Sequence, residues 1–294
     1  MSEVRPTDGI SIPNSTAYRR PRLAVPAGAC DAHIHIYEPS FRAQDGMVNG
    51  ATVASYKKLQ ALLGTTRAVV VQPRVYGTDN TATLYAISAL GIEQTRGIAV
   101  VAADIDEAAL QALHDGGIRG VRLSLHAPNA GAGDFNDVER LANKVAPFGW
   151  HLQLHWTADQ IAQQAALLKR LPVQLVFDHL ARLPLCDPFS HQAFPVVRTL
   201  LESGRAWVKL SGPYLDSVAG AKGGYHDTIA LARKWLSVAP DRAVWGSDWP
   251  HVTEPLHKPD DTQLLELLAD WCNDDSLQQR VLVDNPARLY QFNP

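Results

Sequence analysis

The stretch CDAHIHIYEP (30–39) sets two histidines two residues apart in an apolar run, with an aspartate just ahead of them. Alternate residues of a strand point the same way, so His33 and His35 would share a face with Asp31. Imidazoles paired like this suit metal ligation or proton transfer. Later apolar runs also end in polar groups. Gln72, Arg74 and Tyr76 close RAVVVQPRV (67–75), and Arg122, Ser124 and His126 fall in GVRLSLH (120–126). Gln153 and His155 lie in HLQLHW (151–156), and Asp178, His179 and Arg182 end QLVFDHLA (174–181). Lys209, Ser211 and Tyr214 accompany AWVKLSG (206–212), and Ser247, Asp248 and His251 end AVWGSDWPH (243–251). Burying each of these unpaired would cost several kcal/mol. They must therefore meet one another, a metal or a substrate. Lys209 reads as an inward salt-bridge partner, with a metal-bridging carbamate as the alternative.

The elements that must position these groups follow from the runs themselves. With RGIAVVA (96–102) there are eight, several with too little polar alternation for a sheet with one wet face. Strands covered on both sides belong to parallel sheets. Helical patterns lie between them: VASYKKLQALLG (53–64), DEAALQALHDGG (106–117), DVERLANKVAPFG (137–149), TADQIAQQAALLKRLP (157–172), FPVVRTLLESG (194–204) and DTIALARKWLSVAP (227–240). Asp or Thr usually starts them and glycine often ends them, as helix caps require. The simplest closed solution is a single α/β domain, a (β/α)8 TIM barrel over residues 28–294, with 262–272 and 275–292 as closing helices. An open doubly wound sheet is the alternative, weakened because no glycine-rich phosphate motif follows the first strand. In such a barrel the polar groups gather at the C-terminal ends of the strands.

Composition narrows the remaining possibilities. Of 294 residues, 46% are hydrophobic and the net charge is −3, without a basic stripe or acidic tail. Neither nucleic acid nor a membrane is expected as a partner. Three scattered cysteines argue against a disulfide framework and fit a reducing, cytoplasmic setting. Residues 1–27 have no apolar core for a secretory signal and read as an irregular arm, packed on the body or on another subunit of a homo-oligomer.

HxH after the first run, His179 in VFDHLAR and Asp248 in VWGSDWPH together resemble the amidohydrolase superfamily, in particular its lactone-hydrolysing branch of 2-pyrone-4,6-dicarboxylate lactonases. The likeness continues through VVVQPRVYGTDNTATLYAI (69–87), TRGIAVVAADIDEAALQALHDGGIRGVRLSL (95–125), GWHLQLHW (149–156) and RAVWGSDWPH…PDD (242–261). The resemblance implies that Asp248 is the general base toward water. It implies that His33, His35 and His179 surround the lactone carbonyl, as metal ligands or as hydrogen-bond donors. Arg122 would bind a substrate carboxylate, His155 would take the place of a substrate-contacting tyrosine, and His251 would hold the substrate. Arg74, Tyr76, Arg182 and Tyr214 complete the expected substrate site.

The chain also departs from the branch. The pyrone lactonases carry further arginines after strands four and seven, where this chain has HAPNAGAGDF and SGPYLDS. Tyr214 stands in the place of one of them. The implied substrate is a related lactone with one carboxylate, of muconolactone or sugar-acid type. The implied cofactor is none strictly required, or one divalent metal on His33, His35, His179 and Asp248, for which zinc suits the nitrogen-rich donors. A decarboxylase and a lactone isomerase of the same superfamily are the alternative activities. A non-catalytic binding barrel would not need Asp248 and the histidines.

Overall fold

The computed structural model describes residues 11–42, 46–126, 133–272 and 274–293. Eight strands form one parallel sheet in chain order: β1 (Cys30–Ile34), β2 (Arg67–Val71), β3 (Thr95–Ala99), β4 (Ile118–Ser124), β5 (His151–His155), β6 (Leu175–Phe177), β7 (Ala206–Leu210) and β8 (Ala243–Trp245). The sheet closes just beyond β8. The Asp248 amide donates to the His33 carbonyl at 2.8 Å, and the His35 amide donates to the Trp249 carbonyl at 2.8 Å. The architecture is the expected (β/α)8 barrel. The strands are shorter than the apolar runs, and the surplus residues become the loops that carry the polar groups.

The helices form where the sequence places caps. Thr52 accepts the Ser55 amide to start α1 (Val53–Leu63), and Gly64, at φ 83°, ends it. Further round the barrel are α2 (Thr81–Leu90), α3 (Glu107–Asp115) and α4 (Phe135–Val145), the last opened by a reciprocal Asp134/Asp137 cap. The expected helix over 157–172 is two short helices, α5 (Ala158–Gln163) and α6 (Ala165–Arg170), with a break at Gln164. Then come α7 (Ala193–Glu202), α8 (Ile229–Val238) and α9 (Asp261–Trp271). The expected final helix is α10 (Asp275–Gln279) and α11 (Asn285–Tyr290), joined by a wider turn over Arg280–Asp284. Apolar strand faces pack on this ring of helices. A second cluster fills the barrel interior, where Cys30, Ala32, Val69, Val71, Val176 and Trp207 rest on Tyr290 and Phe292 from the C-terminal end of the chain. Fully burying a side chain of this size contributes about 1.5–3 kcal/mol.

Residues 11–27 run over the loop after β8. The Trp249 indole N–H donates to the Pro13 carbonyl at 3.0 Å, and Arg19 grips Glu266 through two hydrogen bonds of 2.6 and 2.7 Å. Residues 1–10 of the expected arm lie outside the described residues. No described helix is long and apolar enough to cross a membrane.

The join between β1 and the segment after β8 is braced by Asp31. Its carboxylate accepts the Ser247 amide (2.8 Å), the Ser247 hydroxyl (2.6 Å), the His33 amide (3.3 Å) and the Tyr56 hydroxyl (3.3 Å). Asp31 therefore does not share a face with the histidines. The pairing register of β1 shifts between Asp31 and Ile34, which breaks the alternation and leaves His33 facing the barrel interior. Gly246 passes so close that a Cβ there would sit 2.8 Å from the His33 nitrogen and 2.7 Å from its Cβ. Backbone cannot yield as a flexible side chain can. Gly246→Ala is therefore expected to cost about 1–3 kcal/mol of stability and to misplace Asp248. Urea unfolding together with a turnover assay checks this, and a variant equal to wild type in both would contradict it.

Candidate active site

The groups expected from the sequence converge at the barrel mouth. His33 and His35 come from the end of β1, with Nε2 atoms 3.3 Å apart. His35 Nδ1 lies 2.8 Å from the Val71 carbonyl, which can only accept, so Nδ1 carries a proton, and in a neutral ring Nε2 holds the lone pair. Asp248 Oδ1 lies 3.5 Å from both Nε2 atoms. His179, at the end of β6, sits with its ring centroid 5.0 Å from that of His33, and its Nδ1 is 3.0 Å from the Ser211 hydroxyl. Gly212, at φ 56°, makes room, since a Cβ there would lie 2.7 Å from His179 Nδ1.

This arrangement stores backbone strain. Residues 179–182 all have positive φ (49°, 57°, 63° and 52°), as do Asp248 (63°) and His251 (56°). Non-glycine residues in this region cost of order 1–3 kcal/mol each and cluster at functional sites. The turn after β6 aims His179 into the mouth, and the turn after β8 does the same for Asp248.

The expected substrate-binding residues divide into two groups. Arg74, Arg122, His155 and Arg182 line a cavity of about 300 Å³ together with His35, Tyr37, His126, His179 and Asp248. Within it Arg122 donates through Nε to Asp178 at 2.9 Å, and Arg182 forms a two-point bridge to Asp216 at 2.7 and 2.8 Å. Arg74 is exposed and has no ion-pair partner among the described residues. Tyr76, Tyr214 and His251 instead support the walls. Tyr76 accepts the Glu38 amide at 3.1 Å. Tyr214 donates its hydroxyl to Asp248 Oδ2 at 2.6 Å. His251 is fully buried, with Nδ1 3.1 Å from the Tyr214 oxygen and Nε2 3.0 Å from Asp261. Asp216 and Asp261, which hold Arg182 and His251, are not in the sequence-derived set, and Asp178, named there only as a polar group at a strand end, is the partner of Arg122. An arginine beside an apolar strand end signals that it needs an acid, but not which one.

Electrostatics separate the groups cleanly. Burial alone would raise the Asp248 carboxyl. Nearby His179 and His35 and the short Tyr214 bond outweigh it and hold it well below the usual range. Asp178 is likewise ionised, because Arg122 and Lys209 outweigh its burial. Burial, then neighbouring cations, pushes His33 and His155 far down, so both rings are neutral. The His126 and His155 rings lie against each other, tilted by 30° with centroids 3.8 Å apart, and His155 has no hydrogen-bond partner on either nitrogen among the described residues.

The donors fit a metal. The ligand atoms of His33, His35 and Asp248 lie within 4.8 Å of one another, as do those of His33, Asp178 and His179. Two imidazole nitrogens at about 2.0–2.1 Å on a tetrahedral zinc would be about 3.4 Å apart. The 3.3 Å between His33 and His35 matches that spacing.

Barrel, mouth and paired histidines define a hydrolase-type site. The chain belongs to the amidohydrolase family, whose model matches residues 30–292. It is 34% identical over 283 residues to a 2-pyrone-4,6-dicarboxylate hydrolase of Comamonas testosteroni, covering 92% of each chain. It is 30% identical over 282 residues to a 4-sulfomuconolactone hydrolase of Hydrogenophaga intermedia, covering 92% of this chain and 90% of that one. An apo crystal structure from Agrobacterium tumefaciens superposes with a TM-score of 0.87 at 26% identity, covering 95% of this chain and 99% of that one.

Burial, reinforced by Arg122 and Arg182, depresses His126 to about 4, below its unfolded value near 6.5. Between those values the unfolded chain binds more protons than the folded one, so His126 costs the fold stability as pH drops from 6.5 toward 4. Comparing His126→Gln with wild type by urea unfolding at pH 6.5 and 4.5 should show the variant gaining ground at the lower pH. Equal pH dependence of the two proteins would contradict this.

Proposed function

We propose that this enzyme opens a carboxylated lactone, with Asp248 as the base that takes a proton from the attacking water. One observation carries the reading. Asp248 has one oxygen tied to Tyr214 and the other free toward His33 and His35, at the floor of a cavity rimmed by Arg74 and Arg122. The activities named for the two relatives, on a pyrone dicarboxylate and on a sulfomuconolactone, support it.

Tyr214 and the barrel join fix the carboxylate so that Oδ1 meets a water above the two imidazoles. His33 and His179 present ring nitrogens toward the same space, where charge develops on the carbonyl oxygen as it becomes tetrahedral. Asp248 then returns its proton to the departing ring oxygen. A divalent metal held by His33, His35, His179 and Asp248 would polarise that carbonyl and acidify the water.

The rim supports a substrate with one anionic group. Asp178 and Asp216 already engage Arg122 and Arg182, which leaves Arg74 as the cation without a carboxylate partner among the described residues. A muconolactone-type or sugar-acid lactone meets this arrangement better than a dicarboxylate. Arg74 is therefore the expected carboxylate anchor, Arg122 and Arg182 shape the rim, and His155 and His126 face the ring.

A panel of carboxylated lactones, followed by acid release with and without chelator, tests the reading. The expected product is the open acid. Release of CO2 would indicate a decarboxylase, and a second lactone an isomerase. Asp248→Asn is expected to lower turnover by about 10³-fold or more with an unchanged circular dichroism spectrum. A folded variant that retains turnover would overturn the assignment.

A further inference from the structure

Lys209 is fully buried in the barrel, above the Tyr290 ring and below the paired histidines. Its Nζ donates to the Ala32 carbonyl at 2.8 Å and lies 3.4 Å from His33 Nδ1. Asp178 Oδ1 lies 3.6 Å from the same nitrogen and 4.0 Å from Lys209 Nζ, a buried oxygen with no hydrogen-bond partner among the described residues. His33 Nδ1 thus faces both a cation that can only donate and a carboxylate that can only accept.

The two neighbours select opposite tautomers of a neutral ring. If Nδ1 accepts from Lys209, the proton sits on Nε2. It then points toward His35 Nε2, 3.3 Å away, which in a neutral ring holds the lone pair because Nδ1–H is committed to the Val71 carbonyl. With His35 neutral, donors and acceptors then match from Lys209 through His33 and His35 to Val71, and Asp248 Oδ1, 3.5 Å from both Nε2 atoms, is a second acceptor for the His33 Nε2–H. If instead Nδ1–H donates to Asp178, Nε2 is bare and can ligate a metal. Metal-bound histidines normally donate their other ring N–H to a carboxylate or carbonyl in this way. That setting turns an N–H toward the Lys209 ammonium and adds a dication near an already buried cation.

We propose that Lys209 and Asp178 compete for His33 Nδ1, and that Lys209 thereby weakens divalent-metal binding at His33, His35 and Asp248, holding the site in a hydrogen-bonded, metal-free form. This rests on the reading of those three residues as one donor set. It does not depend on which substrate is opened. Lys209 acts here as a positioning residue through His33.

The test uses Zn²⁺ as the probe and no turnover. Zinc affinity, measured by competition with a chromogenic chelator, should tighten about tenfold or more in Lys209→Met. Nitrogen NMR of histidine-labelled wild-type protein supplies a second measurement that needs no variant. Metal-free His33 should be the Nε2–H tautomer and should convert to Nδ1–H as zinc is added. A folded Lys209→Met protein with unchanged or weaker zinc affinity, or metal-free wild-type His33 already in the Nδ1–H form, would overturn the proposal. Absence of lactone opening alongside these results would sink only the functional reading.

Discussion

The structure depends on the closure between the first strand and the segment following the last. Two backbone hydrogen bonds of 2.8 Å join His33 and His35 to Asp248 and Trp249, so the residues that close the barrel are also those that carry its chemistry. Asp31 reinforces the join from behind with its bonds to Ser247, and Gly246 permits the close approach. Imidazoles from residues 33 and 35 and a carboxylate from residue 248 therefore share a site without any mobile loop having to bring them there. Preorganisation of this kind is what electrostatic catalysis requires, because the dipoles need not reorient during the reaction.

Around the closure, charge is balanced in two separate sets. Below the floor, Asp178 is flanked by Arg122 at 2.9 Å and by Lys209 at 4.0 Å, a buried acid whose partners keep it ionised. Behind the base, Asp261, His251 and Tyr214 form a chain of hydrogen bonds that ends on Asp248 Oδ2. Breaking either set would leave an uncompensated buried charge, which costs far more than an exposed ion pair yields. Lys209 bears the cost of this position. Burial lowers it from its usual value to about 8, offset in part by Asp178, so it stays largely an ammonium at neutral pH.

Much of this was legible in the sequence, and for definite reasons. Eight apolar runs alternating with capped helical patterns can bury both faces of their strands only in a closed or doubly covered sheet, and the barrel follows. Polar residues at the C-terminal ends of those runs gave the mouth, including His33, His35, His179, Arg122, His155 and Asp248. What the sequence did not carry is what depends on three-dimensional pairing. The register shift in β1 turns Asp31 away from the histidines, and no alternation rule anticipates it. Tyr214 and His251 stand near the mouth in sequence terms, but their side chains reach each other and Asp248. Asp261 opens a helix well outside the apolar runs, so nothing local marked it as the partner of His251.

The central claim is that Asp248 activates water and does not itself attack the lactone. A single turnover in ¹⁸O-enriched water tests this most directly, with enzyme in excess over substrate and both product and Asp248 peptide analysed by mass spectrometry. The account predicts ¹⁸O in the new carboxyl group of the product and none in the protein. Label on Asp248, with an unlabelled product, would contradict it.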